Sequence, residues 1–165
     1  MRPLPGKTRK EKALKPAAGW ILIPSVFILD RLSKIWVLEH LKEGEGFPVW
    51  RGVFAITRVN NTGAAFGLWR DSSAWLIGVT AVSIAAIVFF LAAAPARRHK
   101  VNFYGWALVA GGALGNLYDR VHFGYVVDYL DFHIWPVFNA ADSSICVGVF
   151  LVFLSVIRKH APDPS

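Results

Sequence analysis

Cysteine is almost absent from this 165-residue chain, with Cys146 standing alone. An intramolecular disulfide is therefore impossible, and a thiol in the last apolar run is expected to be buried, inert core. Histidine is scarce too: the five residues show no HExxH or similar spacing, so no metal site is expected. Charge is thin and lopsided. Charged residues make up 18% against 55% hydrophobic, and 18 Lys and Arg face 11 Asp and Glu. With a mean hydropathy of +0.43, these shortages argue against a soluble domain and for an integral membrane protein.

The net charge of +7 could suggest nucleic acid, but its distribution argues otherwise. Arg2, Lys7, Arg9, Lys10, Lys12 and Lys15 precede the first apolar run. Arg97, Arg98 and Lys100 share one short loop, and Arg158 and Lys159 lie at the tail. All three clusters fall on one side of a four-helix topology, so the charge reports orientation, with both termini cytoplasmic and no nucleic-acid partner.

Residues 1–17 are read as a basic cytoplasmic tail without fixed structure. Residues 18–158 form a single four-helix transmembrane domain, and 159–165 a second cytoplasmic tail. The first helix is expected over Ala18–Leu38, whose ~21 residues reach about 31 Å, enough to span. The early apolar stretch imitates a signal peptide, but Asp30, Arg31 and Lys34 follow it and no small-x-small cleavage site intervenes. The second run, Ser73–Ala94, stops at Pro95; the third covers Val101–Leu117; the fourth, Phe138–Ile157, ends at Arg158-Lys159. Residues 39–72 and 118–137 then lie outside. Within 47–68 a weak period of two and an Asn60-Asn61-Thr62-Gly63 turn predict a small β-structure on the outer leaflet, with Trp50, Phe54, Phe66 and Trp69 as interfacial aromatics.

Two acids stand out against this background. Asp128 follows two valines in a loop leading back to the membrane, and Asp142 lies about one turn into the fourth apolar run. A carboxylate at hydrocarbon depth costs roughly 2.5–3.5 kcal/mol and is usually paired or functional. Two that meet in a water-poor site tend to share a proton, which makes one a general base and the other a general acid. Asp142 has an equally strong structural reading, as the N3 partner of an Asn139 helix cap; no cap explains Asp128.

Other polar residues have bland readings of similar strength. Asn116 is expected to cap the C-terminus of the third helix, with Asp119 and Arg120 as a local pair, or else Asn116 and Arg120 donate to substrate carbonyls. Asp30 and Lys34, four apart, are expected to pair structurally. Gly111 and Gly115 form a GxxxG suited to close helix packing. Asn61 and Gly63 belong either to a turn or to a segment where backbone approaches a ligand. Ser143 and Ser144, with no nucleophile elbow, are expected to bond the helix backbone.

Asp30…Lys34, Asn61-x-Gly63-Ala-Ala-Phe66, Gly115-Asn116-x-x-Asp119-Arg120, Val126-Val-Asp128-Tyr and Phe138-Asn139-x-Ala141-Asp142-Ser143, in this order over about residues 18–157, resemble the lipoprotein signal peptidases (signal peptidase II). The basic tail is the main departure. The resemblance implies an all-α membrane protein with four transmembrane helices, a small outer-face β-cradle and a short outer helix, in the bacterial inner membrane. It implies an aspartyl endopeptidase that removes signal peptides from prolipoproteins, cutting before a diacylglyceryl-modified cysteine. Asp128 and Asp142 become the catalytic dyad; Asn61, Gly63, Asn116, Arg120 and Asn139 surround the substrate; Asp30, Lys34 and Asp119 support them. The active site then lies near the outer, periplasmic face. No metal or organic cofactor is implied, a monomer is expected, and membrane lipid and globomycin-type lipopeptide inhibitors are the further expected partners.

Two other classes compete. A small transporter could use the acids as a proton relay, but they gather at one edge and no inverted repeat is visible. A non-enzymatic assembly factor could use the GxxxG and outer loops to bind proteins. Cleavage of a lipidated peptide by pure protein separates the peptidase from both.

Overall fold

The computed structural model describes residues 17–63, 73–93 and 100–160. These residues include four helices: α1 (Ala17–His40), α2 (Ser73–Ala93), α3 (Lys100–Phe123) and α4 (Ala140–His160). Three strands, β1 (Gly46–Trp50), β2 (Phe54–Asn61) and β3 (Val126–Asp131), form one antiparallel sheet in the order β1-β2-β3. The short outer helix is not found among the described residues. Ala64–Phe66, Trp69, Asp71-Ser72, Arg97-Arg98 and residues 1–16 lie outside them.

α2 and α4 are long and apolar enough to cross a bilayer, over Ala74–Ala93 and Ala140–Ile157. α1 and α3 are as long, but each carries charged residues: Asp30, Arg31 and Lys34 in one, Asp119 and Arg120 in the other.

α3 is the central helix and packs against α1, α2 and α4. Its glycines permit this closeness. A Cβ on Gly105 would stand 2.8 Å from the Gly148 carbonyl oxygen of α4, and one on Gly111 would stand 2.8 Å from the Ile23 carbonyl oxygen of α1. Gly115 faces the Asp30 carboxylate, which a Cβ would strike. Ile23, Leu91, Ala107 and Ala110 form an apolar core between α1, α2 and α3. A second cluster, Val37, Val127 and Tyr129, seats the sheet on α1.

Two expectations are corrected. The third helix continues through Phe123 rather than closing near Leu117, and Gly124 (φ 78°) ends it with its N–H bonded to the Arg120 carbonyl at 3.1 Å. Apolar content fades at Asn116, but the helix persists, with its polar last turns bonded to α1, to α4 and to Gly63 instead of ending at the apolar boundary. Asp128 also lies on a strand, not in a loop. Its segment gives no period of two because Val126 to Tyr129 are all buried. β3 pairs with β2 in the register Asn61↔Val126 and Val59↔Asp128, which makes Asn61 and Asp128 diagonal neighbours on one face.

Candidate active site

α4 begins in a reciprocal cap. The Asp142 N–H donates to Asn139 Oδ1 at 2.9 Å, and the Asn139 N–H donates to Asp142 Oδ2 at 3.3 Å. This is the capping-box arrangement, and it holds the Asp142 carboxylate at the positive end of the helix. The N–H of Ala141, between them, donates to Asp30 Oδ1 at 3.1 Å. Ala141 and Asp142 of α4, and the cap residue Asn139 before it, are thus fixed by side chains.

The same Asn139 reaches the other acid. Its Nδ2 donates to Asp128 Oδ1 at 2.6 Å and to Asn116 Oδ1 at 3.1 Å. Asn116 Nδ2 donates in turn to Asp142 Oδ1 at 2.7 Å. Asn61 Nδ2 donates to Asp128 Oδ2 at 2.8 Å from the opposite side. Both carboxylates are therefore held by neutral amides, which restrict their geometry without neutralising either by a direct cation.

Burial raises the Asp128 carboxyl to about 7, and the neighbouring Asp142 charge adds to the rise. The hydrogen bonds from Asn61 and Asn139, with the more distant charge of Lys34, oppose it. Desolvation prevails because three amide and cation contributions only partly replace lost water. A carboxyl poised near neutrality can both accept and release a proton.

Beneath this pair lies a buried ionic cluster. Lys34 is fully enclosed: its ammonium is ion-paired with Asp119 Oδ2 at 2.8 Å and Asp30 Oδ2 at 2.9 Å, and donates to Asn116 Oδ1 at 3.0 Å. Asp119 Oδ2 also accepts from the Val127 N–H at 3.1 Å, which fixes β3 one residue before Asp128. Asp119 Oδ1 pairs with Arg31, whose guanidinium lies 4.6 Å from the Tyr118 ring centre. Two cations thus balance two carboxylates in a site where one unpaired charge would be costly.

The expected local Asp119–Arg120 pair does not form. Helical neighbours project about 100° apart, so Asp119 turns to α1 while Arg120 Nη2 donates to the Gly63 carbonyl at 3.2 Å. Nor does Asn116 cap a helix end; it sits inside α3 and links Lys34 to Asp142. Asn61 closes β2, and its Oδ1 accepts the Gly63 N–H at 3.0 Å. Ser143 and Ser144 bond the Asn139 and Ala140 carbonyls at 3.0 Å.

Asn61, Gly63, Asn116, Arg120, Asp128 and Asp142 line one cavity of about 690 Å³. Asn139 is buried behind it. Cys146 is exposed and lines this cavity, contrary to the buried core thiol expected, because its position on α4 faces the opening. Among the described residues no group of three or more His, Cys, Asp or Glu is placed to hold a metal.

Sequence reading also missed Arg31 and Tyr129. Arg31 was legible only as a charge within an apolar helix; its partner Asp119 is 88 positions away. Tyr129 donates from its hydroxyl to Ser33 Oγ at 2.7 Å, which ties β3 to α1.

The family model described as signal peptidase (SPase) II matches residues 22–158, and the chain belongs to that family of peptidases. It is 43% identical to a lipoprotein signal peptidase of Halothermothrix orenii over 141 residues, covering 86% of this chain and 96% of the relative. It is 45% identical to one of Pelotomaculum thermopropionicum over 140 residues, covering 84% and 91%. A solved structure described as a bacterial membrane enzyme superposes with a TM-score of 0.82 at 29% identity, covering 90% of this chain and 94% of that one.

Proposed function

We propose that this membrane peptidase removes signal peptides from prolipoproteins, cutting before a diacylglyceryl-modified cysteine, with Asp128 and Asp142 as its catalytic dyad. The observation that carries the reading is the joint clamping of both acids by Asn139 and Asn116 at the wall of one cavity. The deprotonated member of the pair takes a proton from water, and the water oxygen attacks the scissile carbonyl. The protonated member hydrogen-bonds the developing oxyanion and then returns a proton to the leaving amine. Apparent pKa values belong to the pair, so neither residue is assigned one fixed role.

Asn61 and Arg120, both anchored to Gly63, are the groups best placed to hold an extended substrate backbone. Asn116 and Asn139 position the acids, while Asp30, Lys34 and Asp119 hold the underlying frame. All four helices cross the bacterial inner membrane, with both termini cytoplasmic and the dyad near the periplasmic face. Residues 18–158 act as one domain and as a monomer, and globomycin-type lipopeptides compete for the same cavity. The test is incubation of purified protein with a prolipoprotein, with and without its diacylglyceryl group. Cleavage before the modified cysteine supports the reading; no cleavage of the lipidated form overturns it.

A further inference from the structure

Besides the acids and their amides, much of the cavity lining is apolar. It includes Phe132, Ile134, Trp135 and Val137 from the β3–α4 connection, with Ile145 and Cys146 from α4. Ile134 is 94% exposed and Trp135 60%, although large apolar side chains grouped at a rim usually mark a binding surface.

The connection is built to hold them there. Asp131 Oδ1 accepts the His133 N–H at 2.8 Å, and Asp131 Oδ2 accepts the Thr57 hydroxyl at 3.0 Å. His133 adopts φ 62°, a left-handed conformation uncommon outside glycine. The chain returns as a bridge between Leu130 and Phe138, with the Leu130 N–H bonded to the Phe138 carbonyl at 2.7 Å. Phe132 and Phe138 stack at 5.9 Å, and Phe54 adds a third ring 4.8 Å from Phe132. A braced base thus displays an apolar tip.

We infer that this rim, Ile134 and Trp135 with the Ile145 face of α4, receives the acyl chains of the substrate's diacylglyceryl group and so sets the enzyme's dependence on lipid length. The inference rests on the proposed function. The occupant follows from continuity: one cavity joins the acids to the rim, and Ile145 lies in an apolar helix long enough to cross the bilayer. A ligand cleaved at the acids while still anchored in lipid would lay its acyl chains along this apolar lining. Cavities of this size are commonly apolar with a few placed polar groups, as here.

Ile134→Ser and Trp135→Ser, singly and together, keep the base of the connection intact. Each is compared with wild type on one peptide carrying either long or very short acyl chains, in the same detergent. The double variant should lose about tenfold or more in kcat/KM on the long-chain substrate, mostly through KM, and little on the short-chain one. A photoactivatable group at the end of a long acyl chain, bound to Asp128→Asn protein, should label residues 132–137. Equal losses on both substrates, no loss at all, or labelling confined to other segments would each overturn the inference while leaving the peptidase reading intact. Failure of wild type to cleave either substrate would instead remove that reading, and the inference with it.

Discussion

Asn139 and Asp142 hold one another through two opposed hydrogen bonds, N–H to Oδ1 at 2.9 Å and N–H to Oδ2 at 3.3 Å, and the same Asn139 grips Asp128. The helix cap and the proposed catalytic placement are therefore one structure. A cap that merely ended the helix would need no second carboxylate on its amide. Asp128→Asn and Asp142→Asn should each lower kcat by about 10²–10⁴-fold or more, since an amide keeps the shape but cannot cycle a proton. Asp131→Asn, on the same strand, should retain turnover. Single-turnover assays on detergent-purified, monodisperse protein check this, and a well-folded, active Asp142→Asn variant would leave that residue as a cap only.

The alkaline limb of activity should report the raised carboxyl. With Asp128 near 7, raised in part by the neighbouring Asp142 charge, kcat/KM should fall as pH rises through about that value, because the dyad then loses its protonated member. The Asn61 hydrogen bond holds Asp128 lower than burial alone would. Asn61→Leu removes that donor while keeping water out, so the limb should move to higher pH. A pH–rate profile for both proteins decides the matter; an unshifted limb with only a changed KM would confine Asn61 to substrate holding.

The four helices and the β-structure before α2 were legible in sequence because they rest on local signals. Apolar runs marked the helices, and polar residues within them marked the site. The end of α3 was not legible, since hydropathy fades at Asn116 while the backbone continues to Phe123. β3 escaped because a strand buried on both faces shows no alternation. The Arg31–Asp119 pair joins α1 to α3 across 88 positions, and no spacing rule reaches so far. Cys146 was misread because apolar surroundings in sequence do not say which helix face meets a cavity.

Lys34 gives a stability prediction. Its ammonium is ion-paired with Asp30 and Asp119 and donates to Asn116 in a fully enclosed site. Lys34→Met would leave two carboxylates sharing only Arg31, and should cost about 3–5 kcal/mol. Gly115→Ala should also destabilise, by about 1–3 kcal/mol, because its methyl would strike the Asp30 carboxylate. Thermal melts in detergent measure both. Unchanged melting of Lys34→Met would show that the cluster relaxes or hydrates instead of holding the fold.

Arg120 and Asn61 converge on Gly63, one through its carbonyl oxygen at 3.2 Å and the other through its N–H at 3.0 Å. They fix the backbone beside Asp128 from two directions, so losing either should displace a bound peptide relative to the acids. Arg120→Ala should lower kcat/KM by about 10²-fold, the scale of loss for a misplacement near 1 Å. Arg120→Lys should recover only part of it, since a point charge does not reproduce the planar fork. Because both residues would address peptide backbone, the loss should be of similar size on lipidated and unlipidated substrate. Kinetics on the two substrates provide the check: a loss confined to the lipidated one would move Arg120 from holding the peptide to holding the lipid end.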